Sequence, residues 1–142
     1  MAEFSYAKGR IGESLQFIAG EIEEFKKEYS KKTWAEYQKE GKLQKLMERT
    51  VENILTALVE VCGTFLAEKG IAAENYGEVL RKAAELIGFD EQEQNNIAKL
   101  AAQRNRLAHR YLDYKWDAIK AFNEQKDLIE GLLQKILDIS SA

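Results

Sequence analysis

LQKLMERTVENILTALVEVCGTFLAEKG, running from Leu43 to Gly70, is the stretch on which the fold turns. Leu43, Leu46, Thr50, Ile54, Leu58, Val61 and Phe65 recur at steps of three and four, which lays one stripe along a helix. A strand would need alternation at every second residue, and no segment of the chain sustains it. Gly70 closes the stretch as a left-handed helix stop. Upstream, Ile11, Leu15, Ile18, Ile22, Phe25 and Tyr29 form a second stripe with the same spacing. Between the two, Thr33 and Glu36 have the spacing of a capping box, with Trp34 and Tyr37 anchoring the connection.

The same reasoning carries to the other end of the chain. A shorter helix from Tyr76 to Ile87 turns Val79, Leu80, Ala83 and Leu86 inward, and Gly88 stops it. Asp90 and Glu93 cap a further helix that turns Ile97, Leu100, Ala101, Leu107 and Ala108 inward. The last helix begins near Lys115 and presents Trp116, Ile119, Phe122, Ile129, Leu133 and Ile136. There is no proline to break a helix, and the connections are short, so consecutive helices pack antiparallel. The expected fold is all-α, an antiparallel bundle of four to five helices, with residues 1–142 forming a single domain.

Composition narrows the function. A chain of 142 residues buries about two-thirds of its unfolded surface, enough for a core without staples. With 45% hydrophobic and 32% charged residues it is neither a disordered tail nor a membrane protein. No uninterrupted apolar stretch approaches the ~18 residues of a spanning helix, and the N-terminus lacks the features of a signal peptide. Cys62 is the single cysteine, so there is no internal disulfide and no zinc site; its apolar neighbours Val59, Val61 and Phe65 place it in the core. These features predict a cytoplasmic protein.

The net charge of −3 argues against a general nucleic-acid coat protein, whose affinity needs many phosphate contacts. Charge is nevertheless concentrated in one place. Between Lys99 and Lys120, six basic residues (Lys99, Arg104, Arg106, Arg110, Lys115 and Lys120) face two acidic ones, Asp113 and Asp117. That segment carries +4 and leaves −7 for the rest of the chain. It also holds the only histidine, His109. Near the end of this helix Asn105 and His109, four apart, share a face, Arg104 and Tyr111, seven apart, are nearly in line, and Leu107 and Ala108 face the core and pin the helix. One edge would then offer guanidinium, amide, imidazole and phenol together.

That set suits a phosphodiester. Arginine presents a planar, permanently charged fork to non-bridging oxygens, and an imidazole moves a proton near neutrality. In RNA the 2′-hydroxyl is an internal nucleophile, so cleavage needs only proton transfer and charge stabilisation, with no metal and no cofactor. Acid–base cleavage commonly uses two proton-transfer groups and this chain has one imidazole, so a two-fold axis beside His109 would complete the site. The same residues are also compatible with a solvated basic face paired to Asp113 and Asp117, with His109 complementing a helix C-terminus. Trp116 is spaced as a core residue, whereas Tyr114 is open to stacking on a base. The acidic run Glu21, Glu23 and Glu24 reads as a solvated face.

Arg104-x4-His109-x-Tyr111, with Asn105 directly after the arginine, resembles the R-x4-H-x-Y motif of the HepT-like ribonuclease toxins of the HEPN superfamily. The run from Leu46 through Arg49, Val51, Glu52, Ile54 and Ala57 is similar to that family's second helix. The segment from Glu74-Asn75-Tyr76 to Ile87 is similar to the helix preceding its motif. The resemblance implies a HEPN-like helical bundle and a metal-independent endoribonuclease that works as a homodimer, with the motif helices of two subunits lining one cleft. It implies a partner, a small MntA-like nucleotidyltransferase-type antitoxin, that uses ATP to attach AMP to the motif tyrosine. Carried over by position, Arg104 would stabilise the phosphorane and His109 would be acid or base. Asn105, Arg106 and Arg110 would bind or orient substrate, and Tyr111 would receive AMP. A second class of function fits the same residues: a non-catalytic nucleotide- or substrate-binding module beside a nucleotidyltransferase.

Overall fold

A computed structural model describes the backbone of residues 2–141 and the side chains of residues 11–139. Its helices are α1 (Ala2–Glu28), α2 (Trp34–Lys39), α3 (Gly41–Glu68), α4 (Tyr76–Leu86), α5 (Glu91–Ala98), α6 (Leu100–Leu107) and α7 (Leu112–Ser141), and there is no strand among the described residues. The three long helices carry the frame. α1 runs antiparallel to α7, so that Phe25 meets Phe122 edge-on at 4.8 Å and Lys26 pairs with Asp127 at 3.3 Å and with Glu130. α3 lies along α1, and their stripes meet in one contiguous core with those of α4 and α7.

The predicted stripes locate this core well. Every residue of the α1 ladder from Ile11 to Tyr29 is buried. So are Leu43, Thr50, Ile54, Leu58, Val61 and Phe65 of α3, and Ile119, Phe122, Ile129, Leu133 and Ile136 of α7. An 18-residue window of α3 reaches a mean hydropathy of 1.4, long and apolar enough to cross a membrane by those criteria alone; 61% of it is buried within the bundle, as expected of a core helix. Cys62 lies fully inside, and burial pushes its thiol up to about 12. Gly70 and Gly88 adopt positive φ values of 70° and 92°, and the N–H groups of Ile71 and Phe89 reach back to the carbonyls of Leu66 and Ala84. These are glycine-closed helix ends.

Five details differ from the sequence reading. Leu46 and Leu86 are 43% exposed, because each lies at the edge of its stripe, where the next turn carries the packing. The connection holding Trp34 and Tyr37 is itself helical, α2, closed by the expected Thr33–Glu36 capping box. The helix capped by Asp90 and Glu93 is divided at Lys99, where Ala102 N–H bonds the Lys99 carbonyl three residues back and tightens the chain between α5 and α6. α6 ends at Leu107, before the histidine, and Ala108 is exposed and does not help to pin the helix. Finally, α7 starts at Leu112, three residues earlier than expected. The bundle is therefore three long helices with the short segments α2, α4, α5 and α6 packed about them.

Candidate functional site

The basic segment folds in two parts, and they have opposite characters. The first part is α6 with the loop that follows it. Leu100, Gln103 and Leu107 are buried and fix the helix against the bundle, which leaves Asn105 and Arg106 exposed and Arg104 half-buried. The last turn tightens: Ala108 N–H bonds the Asn105 carbonyl and His109 N–H bonds the Arg106 carbonyl, both at 3.2 Å. His109, Arg110 and Tyr111 therefore sit on an exposed loop beyond the helix. The helical-face argument that joined Asn105 to His109 and Arg104 to Tyr111 does not extend past Leu107.

Another geometry gathers the loop residues. The His109 ring stands edge-on to Tyr114 at 5.4 Å, and Tyr114 stands edge-on to Tyr111 at 5.5 Å. Imidazole and motif phenol are thus linked through a tyrosine of the first turn of α7, and Tyr111 is 64% exposed. Tyr114, open to stacking in the sequence, is the hub of this trio. Arg104 meets a different element. Its guanidinium carbon lies 5.4 Å from the ring centroid of Tyr76 at the start of α4. The same arginine lines a groove of about 580 Å³ between α1 and α3, together with Phe17, Glu52, Asn53 and Glu60.

No carboxylate lies within ion-pairing distance of Arg104, Arg106 or Arg110 among the described residues. The pairing of these arginines with Asp113 and Asp117 that composition allowed is absent. Two of the three, Arg106 and Arg110, are exposed. Among the described residues no group of three or more His, Cys, Asp or Glu side chains is placed to hold a metal ion.

The second part of the segment is the first turn of α7, and it is fully engaged. Lys115 Nζ pairs with Glu48 Oε1 of α3 at 3.0 Å, and Glu48 Oε2 accepts the hydroxyl of Tyr37 at 2.8 Å. Tyr37 is completely buried, and its ring packs on Trp116 at 5.2 Å, with Trp34 6.0 Å from each. Burial first, then the hydrogen bond to Glu48 and that residue's charge, holds the Tyr37 phenol well above its ordinary pKa. Lys115 N–H also bonds the Tyr111 carbonyl at 3.2 Å, so the clamp lies directly beside the loop. Sequence reasoning counted Lys115 with the free cations, because its partner lies 67 residues away. It missed Tyr76, whose only signal was an aromatic residue directly after a capping asparagine.

No curated protein and no solved structure matches the chain. The family model described as Ribonuclease HepT-like matches residues 18–136, a span that takes in the core stripes from Ile18 onward, the α4 helix, Arg104, the loop with His109 and Tyr111, and the clamp. An all-helical bundle that places this basic segment before its last long helix, matched over most of its length, belongs to the HepT-like ribonuclease family.

Proposed function

We propose that the chain is an endoribonuclease toxin of a toxin–antitoxin pair, acting on RNA phosphodiesters as a homodimer. One observation carries this reading. Three arginines without carboxylate partners among the described residues flank the only imidazole of the chain, which stands exposed beside a solvent-facing tyrosine. A purely structural basic segment would pair its arginines as it pairs Lys115.

In this mechanism the RNA 2′-hydroxyl attacks the adjacent phosphorus, forming a cyclic phosphate and breaking the bond to the 5′-oxygen. The His109 imidazole takes the hydroxyl proton or delivers one to the departing oxygen, and the imidazole of a second copy performs the other transfer. Arg104 carries the charge that develops on the non-bridging oxygens, and Asn105, Arg106 and Arg110 hold the strand. The antitoxin, a small nucleotidyltransferase, moves AMP from ATP to the Tyr111 hydroxyl with release of pyrophosphate. The added phosphate would compete with RNA for the nearby cations.

The test is RNA cleavage in EDTA by the wild type, His109→Ala and Arg104→Ala. Loss of at least about a hundredfold in each variant is expected, the scale of a removed general acid or base for His109 and of a removed charge-stabilising donor for Arg104. Undiminished cutting by either variant removes its assigned role. Saturable nucleotide binding with no turnover by the unmodified wild type would make the protein a binding module instead. For the regulatory step, intact mass after incubation with the nucleotidyltransferase and Mg-ATP should rise by one AMP per chain, and Tyr111→Phe should abolish the increment.

A further inference from the structure

A ring, not a carboxylate, holds Arg104. Its guanidinium lies over Tyr76 with no ion-pair partner among the described residues, although Glu13, Glu52 and Glu60 line the same groove. The difference matters chemically. A carboxylate would engage the donor fork and cancel the charge, whereas an aromatic ring attracts the cation and leaves the edge N–H groups free. Tyr76 is itself held in place. It opens α4 directly after Asn75, whose Oδ1 accepts the Glu78 N–H at 2.9 Å, and Glu78 pairs with Lys82 at 2.7 Å one turn on.

We infer that Tyr76 is a positioning residue: its ring keeps the Arg104 guanidinium clear of Glu13, Glu52 and Glu60, so that the cation stays out of an ion pair and its fork stays open to a phosphate. The inference rests on the reading of Arg104 as a phosphate-binding residue, and it names the side chain on another helix that keeps that role available. Remove the ring, and the groove offers a half-buried guanidinium three carboxylates instead, Glu13 of α1 and Glu52 and Glu60 of α3.

The test uses the full chain with Tyr76→Leu and Tyr76→Phe. The tyrosine is 57% exposed, so leucine there leaves the core intact. Tyr76→Leu is expected to lower kcat on RNA about three- to tenfold with KM little changed, while Tyr76→Phe, which keeps the ring, stays within about twofold of wild type. Adding Glu13→Gln, Glu52→Gln and Glu60→Gln to Tyr76→Leu should restore most of the lost kcat, because no carboxylate of the groove then remains to capture the arginine.

A second readout does not depend on catalysis. In proton NMR the side-chain resonances of Arg104 should carry an upfield ring-current shift that Tyr76→Phe preserves and Tyr76→Leu removes. Arg104 resonances that do not move in Tyr76→Leu, or a phenylalanine variant as impaired as the leucine one, would overturn the inference. So would a rise in KM at constant kcat, since that would make Tyr76 a platform for a base. A wild type that cleaves no RNA yet shows the ring-current shift would support the positioning and sink only the ribonuclease reading.

Discussion

Two neighbouring stretches of one basic segment, the loop around His109 and the first turn of α7, handle charge in opposite ways. In the turn, Lys115 and Glu48 keep only 20% and 17% of their side-chain surface in solvent, and Glu48 is shared with the fully buried Tyr37. In the loop, Arg110 is exposed without a carboxylate partner among the described residues, as is Arg106 one turn earlier. The difference separates two uses of a cation. One fastens the start of α7 to α2 and α3; the other is left available to something outside the chain. It also explains how an exposed loop can hold imidazole and phenol in a set relation: the loop is short and its far end is clamped.

The sharpest way to break this comparison is to remove the shared acceptor. Glu48→Ala leaves the Tyr37 hydroxyl and the Lys115 ammonium without partners in a mostly buried site, and should cost about 2–4 kcal/mol of stability. Chemical denaturation of the variant against wild type measures it. A loss below about 0.5 kcal/mol would place the pair with ordinary surface ion pairs, and the distinction between the two regions would vanish.

A smaller effect sharpens the picture through pH. The Tyr37 phenol is held above its ordinary value of 10.0, chiefly by burial. The folded state therefore favours the neutral phenol, while the unfolded chain ionises it at about pH 10. Stability from this group is complete below that pH and declines as pH rises from there toward the raised folded value. The slope is at most about 1.4 kcal/mol per pH unit for one proton. Tyr37→Phe should flatten the alkaline fall in denaturation midpoint by that one-proton component. Parallel curves for the two proteins above pH 10 would show that the hydroxyl is not shielded as described.

How much of this was legible beforehand follows from the range of the interactions involved. The stripes of α1, α3 and α7, the capping boxes at Thr33 and Asp90, and the glycine ends at Gly70 and Gly88 depend on residues within five positions of one another. Periodicity and turn chemistry carry such information directly. The identity of the basic segment was legible for the same reason. Its arrangement was not. Nothing local announces that α6 stops at Leu107, since no glycine or proline marks the point and the last turn closes through i→i−3 bonds. The partners of Lys115 and Arg104 lie on α3 and α4, far away in sequence, so a charge count could not tell the engaged cation from the open ones.

The smallest effect on folding, and the most informative about the loop, comes from Arg106 and Arg110. Both side chains are exposed and neither has a carboxylate partner among the described residues, so Arg106→Gln combined with Arg110→Gln should change stability by no more than about 0.5 kcal/mol. If both arginines contact the strand, the same double variant must release fewer counterions on binding RNA. The dependence of log affinity on log salt should then become shallower by about 0.7 for each lost phosphate contact, or about 1.4 for the pair. Titrating a single-stranded RNA against His109→Ala, with and without the two glutamines, keeps cleavage from confusing the measurement. An unchanged salt slope would mean that these cations face no phosphate, leaving Arg104 as the only arginine of the three with a claim on the strand. A large loss of stability would instead assign them the structural role that, in this segment, the geometry gives to Lys115.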